Sequence, residues 1–146
     1  MSSDPYKTGM FKTDPYWKKS PLRAQLVVVL DGRYENRGLE LIPQPSRALL
    51  KHEVHELILT DELEATSGKL VNRIAYLGFM EILEGGVMVI GDEVRVRGDL
   101  VGTVAGFDAT HMPNHLNIVI KAADRNTGRE LAFDLYDKVT VTKPSI

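Results

Sequence analysis

The run from Gly91 to Lys121, GDEVRVRGDLVGTVAGFDATHMPNHLNIVIK, constrains the fold more than any other stretch of the chain. It reads as a hairpin, a polar loop and a further strand. Val94 and Val96 alternate with Glu93, Arg95 and Arg97, and Gly98-Asp99 offers the two residues that a tight turn with positive φ needs. That turn sets Arg97 opposite Leu100, Val96 opposite Val101 and Val94 opposite Thr103. One face then collects Val94, Val96, Val101, Thr103 and Ala105 for burial. Gly102 and Gly106, inside the second strand, predict strong curvature or a bulge, as where a small sheet bends to close on itself.

The rest of the chain supplies more strands. Leu26 to Leu30 is apolar, β-branched and bounded by Asp31-Gly32. Leu39 to Ile42 reads as a short strand stopped by Pro43 and Pro45. Val87 to Ile90, Leu116 to Lys121, Leu131 to Tyr136 and Val139 to Val141 complete the set. Two stretches are divided. Over 46–58, Leu50, Val54, Leu57 and Ile58 have helical spacing with Ser46 as N-cap, while a strand over 56–60 competes. That helix would turn His52, His55 and Glu56 to solvent. Over 70–83, Leu70, Ile74 and Leu77 fit a helix stopped by Gly85-Gly86, whereas Ile74, Tyr76, Met80 and Ile82 fit a strand interrupted at Gly78. The β-formers of 76–79 favour the strand. The expected fold is mostly β: a single small antiparallel β-barrel of SH3-like or OB-like scale over 22–146, with at most one or two short helices and an extended N-terminal arm over 1–21.

Leu41-Ile42-Pro43-Gln44-Pro45, Glu56-Leu57-Ile58-Leu59 and Gly91-Asp92-Glu93-Val94 together resemble the barrel domain of zinc-type alcohol dehydrogenases. The resemblance implies a barrel and no activity, because that enzyme class needs a nucleotide-binding domain and no Gly-rich strand-to-helix fingerprint is present. The turn from Gly91 into a strand recurs in barrels of many functions.

Composition narrows the chemistry. Eighteen basic and twenty acidic residues give a net charge of −2, so no global field draws the chain to nucleic acid or to an anionic membrane. With no cysteine, disulfides, thiolate metal sites, iron–sulfur clusters and a Cys nucleophile are all excluded. No apolar run approaches a membrane span and no leader pattern opens the chain, so a cytoplasmic protein is expected. A Gly-x-Ser-x-Gly elbow, a phosphate-cradling loop and a His-Glu-x-x-His helix are absent as well. Arg97-Gly98-Asp99 matches an adhesion tripeptide, but the hairpin turn explains it.

Two regions carry candidate function. The arm holds Pro5, Pro15 and Pro21 with Tyr6, Phe11, Tyr16 and Trp17, large stiff side chains of the kind that anchor interfaces. Such an arm lies on a neighbouring subunit or covers the mouth of its own core. The rings favour the first, in a homo-oligomer. The second region is the loop from Asp108 to Asn117. Pro113-Asn114 makes a turn, and Asp108 and Asn114 can bond nearby backbone N–H groups, so loop building alone accounts for most of it. The sharper reading has Asp108, His111 and His115 converging on a divalent transition metal, zinc or iron, since two imidazoles and a carboxylate form the ligand set of open sites. A third has Asp108, His111, Asn114, His115 and Asn117 meeting a small ligand or a partner. The four histidines fall as two pairs, 52/55 and 111/115, which invites the idea that the pairs meet.

The preferred function is therefore a non-catalytic small β-barrel that serves as a binding or subunit-assembly module. The alternative is a metal-dependent enzyme or small-ligand-binding protein with its site on the 108–117 loop, where a metal would act as a Lewis acid, or His111 or His115 as general acid or base.

Overall fold

A computed structural model describes residues 15, 16 and 18–144. Among these residues the secondary structure is all strand, with no helix. The strands are β1 (Leu22–Val29), β2 (Arg33–Tyr34), β3 (Leu39–Glu40), β4 (Ser46–Leu49), β5 (Val54–Thr60), β6 (Leu70–Val71), β7 (Ile74–Glu84), β8 (Gly86–Val89), β9 (Glu93–Val96), β10 (Asp99–Asp108), β11 (Asn117–Lys121) and β12 (Lys138–Thr142). The main sheet runs β1-β12-β9-β10-β11-β5-β7-β2, and β1 also pairs with β7, so the hydrogen-bonded order returns to its first strand. That closing contact depends on Gly78, where a Cβ would stand 2.1 Å from the Val28 carbonyl oxygen. Two small pairs, β3–β6 and β4–β8, complete the architecture.

The pairing is not purely antiparallel. β5 and β11 are parallel neighbours, with Asn117 beside Glu56 and Val119 beside Ile58. Both strands are buried on both faces, as parallel strands usually are, which is why they read as nearly continuous apolar runs. One cluster gathers a single face of the strands, including Leu26, Leu57, Leu59, Met80, Val94, Val96, Phe107, Ile118, Ile120 and Val141. The opposite face of β5, β7, β10 and β11 forms a second cluster, in which Ile58, Ile74, Ala105 and Val119 are covered by Leu39, Leu41, Ala65 and Val71. The β3–β6 pair is thus a lid over the outside of the sheet.

Several expectations are corrected. The helix over 46–58 does not form: β4 and β5 occupy that span, Ser46 is a strand residue, and His55 and Glu56 are 5% and 7% exposed. Helical spacing there arose because β5 is apolar on both faces. The hairpin turn is Arg97-Gly98, both with positive φ, so Val96 faces Asp99 and Gly102 faces Val94. Arg97 is held in that conformation by its side chain: the guanidinium donates to the carbonyls of Ala132 and Leu131, meets Asp137 at 3.4 Å and lies over the Phe133 ring. The expected strand over 131–136 is a series of turns, with Ala132 and Tyr136 at positive φ and Leu135 and Tyr136 exposed. Short-range bonds such as Phe133 N–H to Gly128 C=O replace a ladder. The strand reading of 74–83 and the irregularities near Gly102 and Gly106 are as the sequence indicates.

Candidate functional site

Site geometry begins with the register. On the covered face of the sheet, Phe79, Glu56, Asn117 and Asp108 are successive register neighbours across β7, β5, β11 and β10. They continue the rows of the second cluster past the edge of its lid. The loop between β10 and β11 folds over them, with tight turns closed by Met112 N–H to Ala109 C=O and Asn114 N–H to His111 C=O. The Met112–Pro113 peptide is cis.

Asp108 anchors this loop. Its Oδ1 accepts from the Thr110 N–H (3.0 Å) and Asn117 Nδ2 (3.1 Å), and its Oδ2 accepts from the Glu40 N–H (3.1 Å). The residue is 1% exposed. Asp108 therefore ties the loop to β11 and to the lid strand β3, an extended form of the local bonding that Asp favours in loops. Asn117 is equally buried, and its Oδ1 has no hydrogen-bond partner.

His111 and His115 do come together. Their ring centroids are 5.0 Å apart, and the Phe79 and His115 rings meet in a T-shaped pair with centroids 5.0 Å apart. The His115 Nε2 faces Glu56 Oε1 at 3.3 Å while Asn114 Nδ2 lies 2.9 Å from its Nδ1. An amide donor on Nδ1 leaves the ring proton on Nε2, directed at the carboxyl group. Arg37, from the loop before β3, completes the cluster. Its Nε donates to the Tyr76 hydroxyl (3.1 Å), and a terminal nitrogen lies 3.4 Å from His111 Nε2. Because a guanidinium has only donors, that imidazole nitrogen is an acceptor in this arrangement.

Burial pushes the Glu56 carboxyl above its ordinary range, against the opposing pull of His115, His111 and Arg37. Its neighbour His55 plays a different part. The His55 Nδ1 accepts the Leu116 N–H at 3.0 Å, so its proton sits on Nε2 and points at Glu53 Oε1, 3.2 Å away. The Glu53 carboxyl is held below its usual value by the Leu50 N–H and then by His55. His55 is thus a satisfied structural histidine that joins β5 to the start of β11.

The candidate residues are accordingly divided. His111, Asn114 and His115 meet at one point, whereas Asp108 is occupied by three N–H groups and Asn117 lies beneath. Among the described residues, no group of three or more His, Asp or Glu is placed to hold a metal ion. The two histidine pairs have separate partners: His55 bonds the Leu116 N–H and Glu53, His115 faces Glu56, and His52 stands exposed, 3.9 Å from Glu81. Sequence reading missed Arg37, Tyr76 and Phe79 and turned Glu56 outward. The parallel β5–β11 register, which sets Glu56 beside Asn117, is the feature that unites them. Of the arm, Tyr6, Phe11 and Trp17 lie outside the described residues. The Tyr16 hydroxyl is 3.0 Å from Ser46 Oγ of the chain's own β4.

A family model described as a family of unknown function (DUF6917) matches residues 16–142, which include every residue of this cluster. The chain belongs to that family. No curated protein and no solved structure matches it. Among the described residues no helix is long and apolar enough to cross a membrane.

Proposed function

We propose that this protein is a non-catalytic binding module, a small β-barrel of SH3-like or OB-like scale closed by the β1–β7 pairing, which takes a small anionic ligand at Arg37, His111 and His115. One observation carries the reading. The Arg37 guanidinium is held by Tyr76 and set against His111, whose ring packs on His115, with no carboxylate in ion-pair contact among the described residues. Of the acids beside the loop, Asp108 is committed to three N–H groups, and burial raises the Glu56 pKa above its ordinary range. Arg37 thus presents a positive charge that no ion pair neutralises among the described residues. A carboxylate or phosphate oxygen would replace the long Arg37–His111 contact with charge-assisted hydrogen bonds.

The test is a titration with inorganic phosphate and with succinate, followed by backbone amide NMR at mildly acidic and mildly alkaline pH. Shifts confined to residues near 37 and 110–116 are expected. Arg37→Ala should weaken binding by about tenfold to a hundredfold, the loss of a hydrogen bond to a charged group. Binding unaffected by that change, or no shifts in the cluster, would overturn the reading.

The Glu56–His115 contact favours a second reading, general acid–base chemistry, because a carboxyl group that orients an imidazole is how such enzymes prepare a base. The same spectra separate the two. A binding module returns its ligand unchanged, and an enzyme converts it with time.

A further inference from the structure

At the other end of β5, β10 and β11, the β9–β10 hairpin and the segments after β11 frame an open cavity of about 280 Å³. Its floor includes Leu59, Val96 and Phe133, all members of the main core cluster, and Leu59 and Val96 are only 2% and 1% exposed. The cavity therefore ends on the hydrophobic interior, where an apolar group could rest on buried side chains.

The charge lining it is unequal in availability. Arg97, the one cation lining it among the described residues, is spent on Asp137, on the carbonyls of Ala132 and Leu131 and on the Phe133 ring. Asp99 and Asp124 also line the cavity, and neither side chain has a hydrogen bond or ion pair among the described residues. Uncommitted charge at this mouth is thus negative, over an apolar floor.

We infer that this cavity binds a small organic cation, a protonated amine with an apolar body, with the ammonium group between Asp99 and Asp124 and the body on Leu59, Val96 and Phe133. Charge and surface complement such a ligand at both ends. An anion would meet two carboxylates, and a fully polar cation would leave the floor uncovered. This site is separate from the histidine cluster. β11 begins at Asn117 under that cluster and reaches Lys121 near this mouth, about 3.3 Å per residue along the strand.

The probe is 2-phenylethylamine, titrated into the whole protein and followed by backbone amide NMR, with 2-phenylethanol as its neutral counterpart. Amide shifts should cluster at 96–101 and 122–126 and leave 111–115 unmoved. The Asp99→Asn/Asp124→Asn double variant alters only exposed side chains and should retain the wild-type spectrum elsewhere. It should bind the amine about tenfold more weakly, and raised salt should weaken wild-type binding in the same direction. Equal affinity for the amine and the alcohol, or an unchanged affinity in the double variant, would overturn the inference in favour of a merely apolar well. Absence of shifts at this mouth would overturn it outright, whatever phosphate does at Arg37.

Discussion

Asp108 offers the sharpest separation between a residue that binds a ligand and one that builds the loop. Its carboxylate accepts from the Thr110 and Glu40 N–H groups and from Asn117 Nδ2, all within 3.1 Å. A hydrogen bond to a charged group contributes about 1.5–3 kcal/mol, so the three sum to an upper bound that truncation does not reach. Thr110 and Glu40 are exposed residues and their donors can turn to water. Asn117, 1% exposed, cannot. Asp108→Ala should therefore cost about 3 kcal/mol. Asp108→Asn keeps one oxygen for Thr110 and Asn117 but presents an amide donor to the Glu40 N–H, and should cost about half as much. Equilibrium urea denaturation followed by circular dichroism measures both. A loss within about 0.5 kcal/mol for Asp108→Ala, the range of an ordinary surface change, would refute the argument. A gain in stability would do so more strongly, since that is the signature of a functional carboxylate held at a cost to the fold.

Two further outcomes follow from the same neighbourhood. His55→Leu leaves the Leu116 N–H without its acceptor in a buried position, and should cost about 1–3 kcal/mol and speed hydrogen exchange at Leu116. Unchanged protection there would mean the bond contributes nothing. For Glu56, the folded pKa is raised, so its stabilising contribution is full below the ordinary carboxyl range and is lost as pH rises through the folded value. Glu56→Gln removes that loss. The variant's denaturation midpoint should thus gain on the wild type as pH increases, and a midpoint that falls behind instead would show the carboxylate to be held by imidazolium charge.

The strand content was legible because local signals agree with the fold from β7 to β12 in most places. Val94 and Val96 alternate, glycines mark the bulges, and turns follow short runs. Where reading failed, non-local contacts had decided the outcome. Arg97 tolerates positive φ because residues 131–137 hold its guanidinium, which moves the partner of Val96 from Val101 to Asp99 and, past the bulge, that of Val94 from Thr103 to Gly102. Leu131 and Phe133 alternate like a strand, yet Phe133 is buried in the core and Leu131 packs against it only partly buried. The second cluster was hidden for a related reason. Ile58 and Val119 sit on the face that a half-buried strand would expose, and nothing local to them announces the lid formed by Leu39 and Val71. The loop histidines could be picked out by type and spacing. Glu56 could not, since it lies 59 residues from His115 and reaches it through a parallel pairing that sequence patterns do not specify.

That pairing also bears on the orphaned Asn117 oxygen. Its amide nitrogen is committed to Asp108, so the amide cannot rotate to relieve Oδ1 without setting two oxygens against each other. A buried acceptor left unpaired costs about 1–3 kcal/mol, and it needs a donor. Its register neighbour on the same face is Glu56, whose burial favours the protonated form, the one form of that side chain that carries an O–H. A proton on Glu56 would place a donor at the register position beside the orphan. A hydrogen bond donated by the neutral acid raises its pKa further, so removing the acceptor should lower it. Asn117→Ala is expected to move the Glu56 titration, read from side-chain carboxyl carbon shifts, toward the ordinary carboxyl value. An unmoved or rising titration midpoint would mean that desolvation alone sets the proton on Glu56, and that the Asn117 oxygen is satisfied by something else.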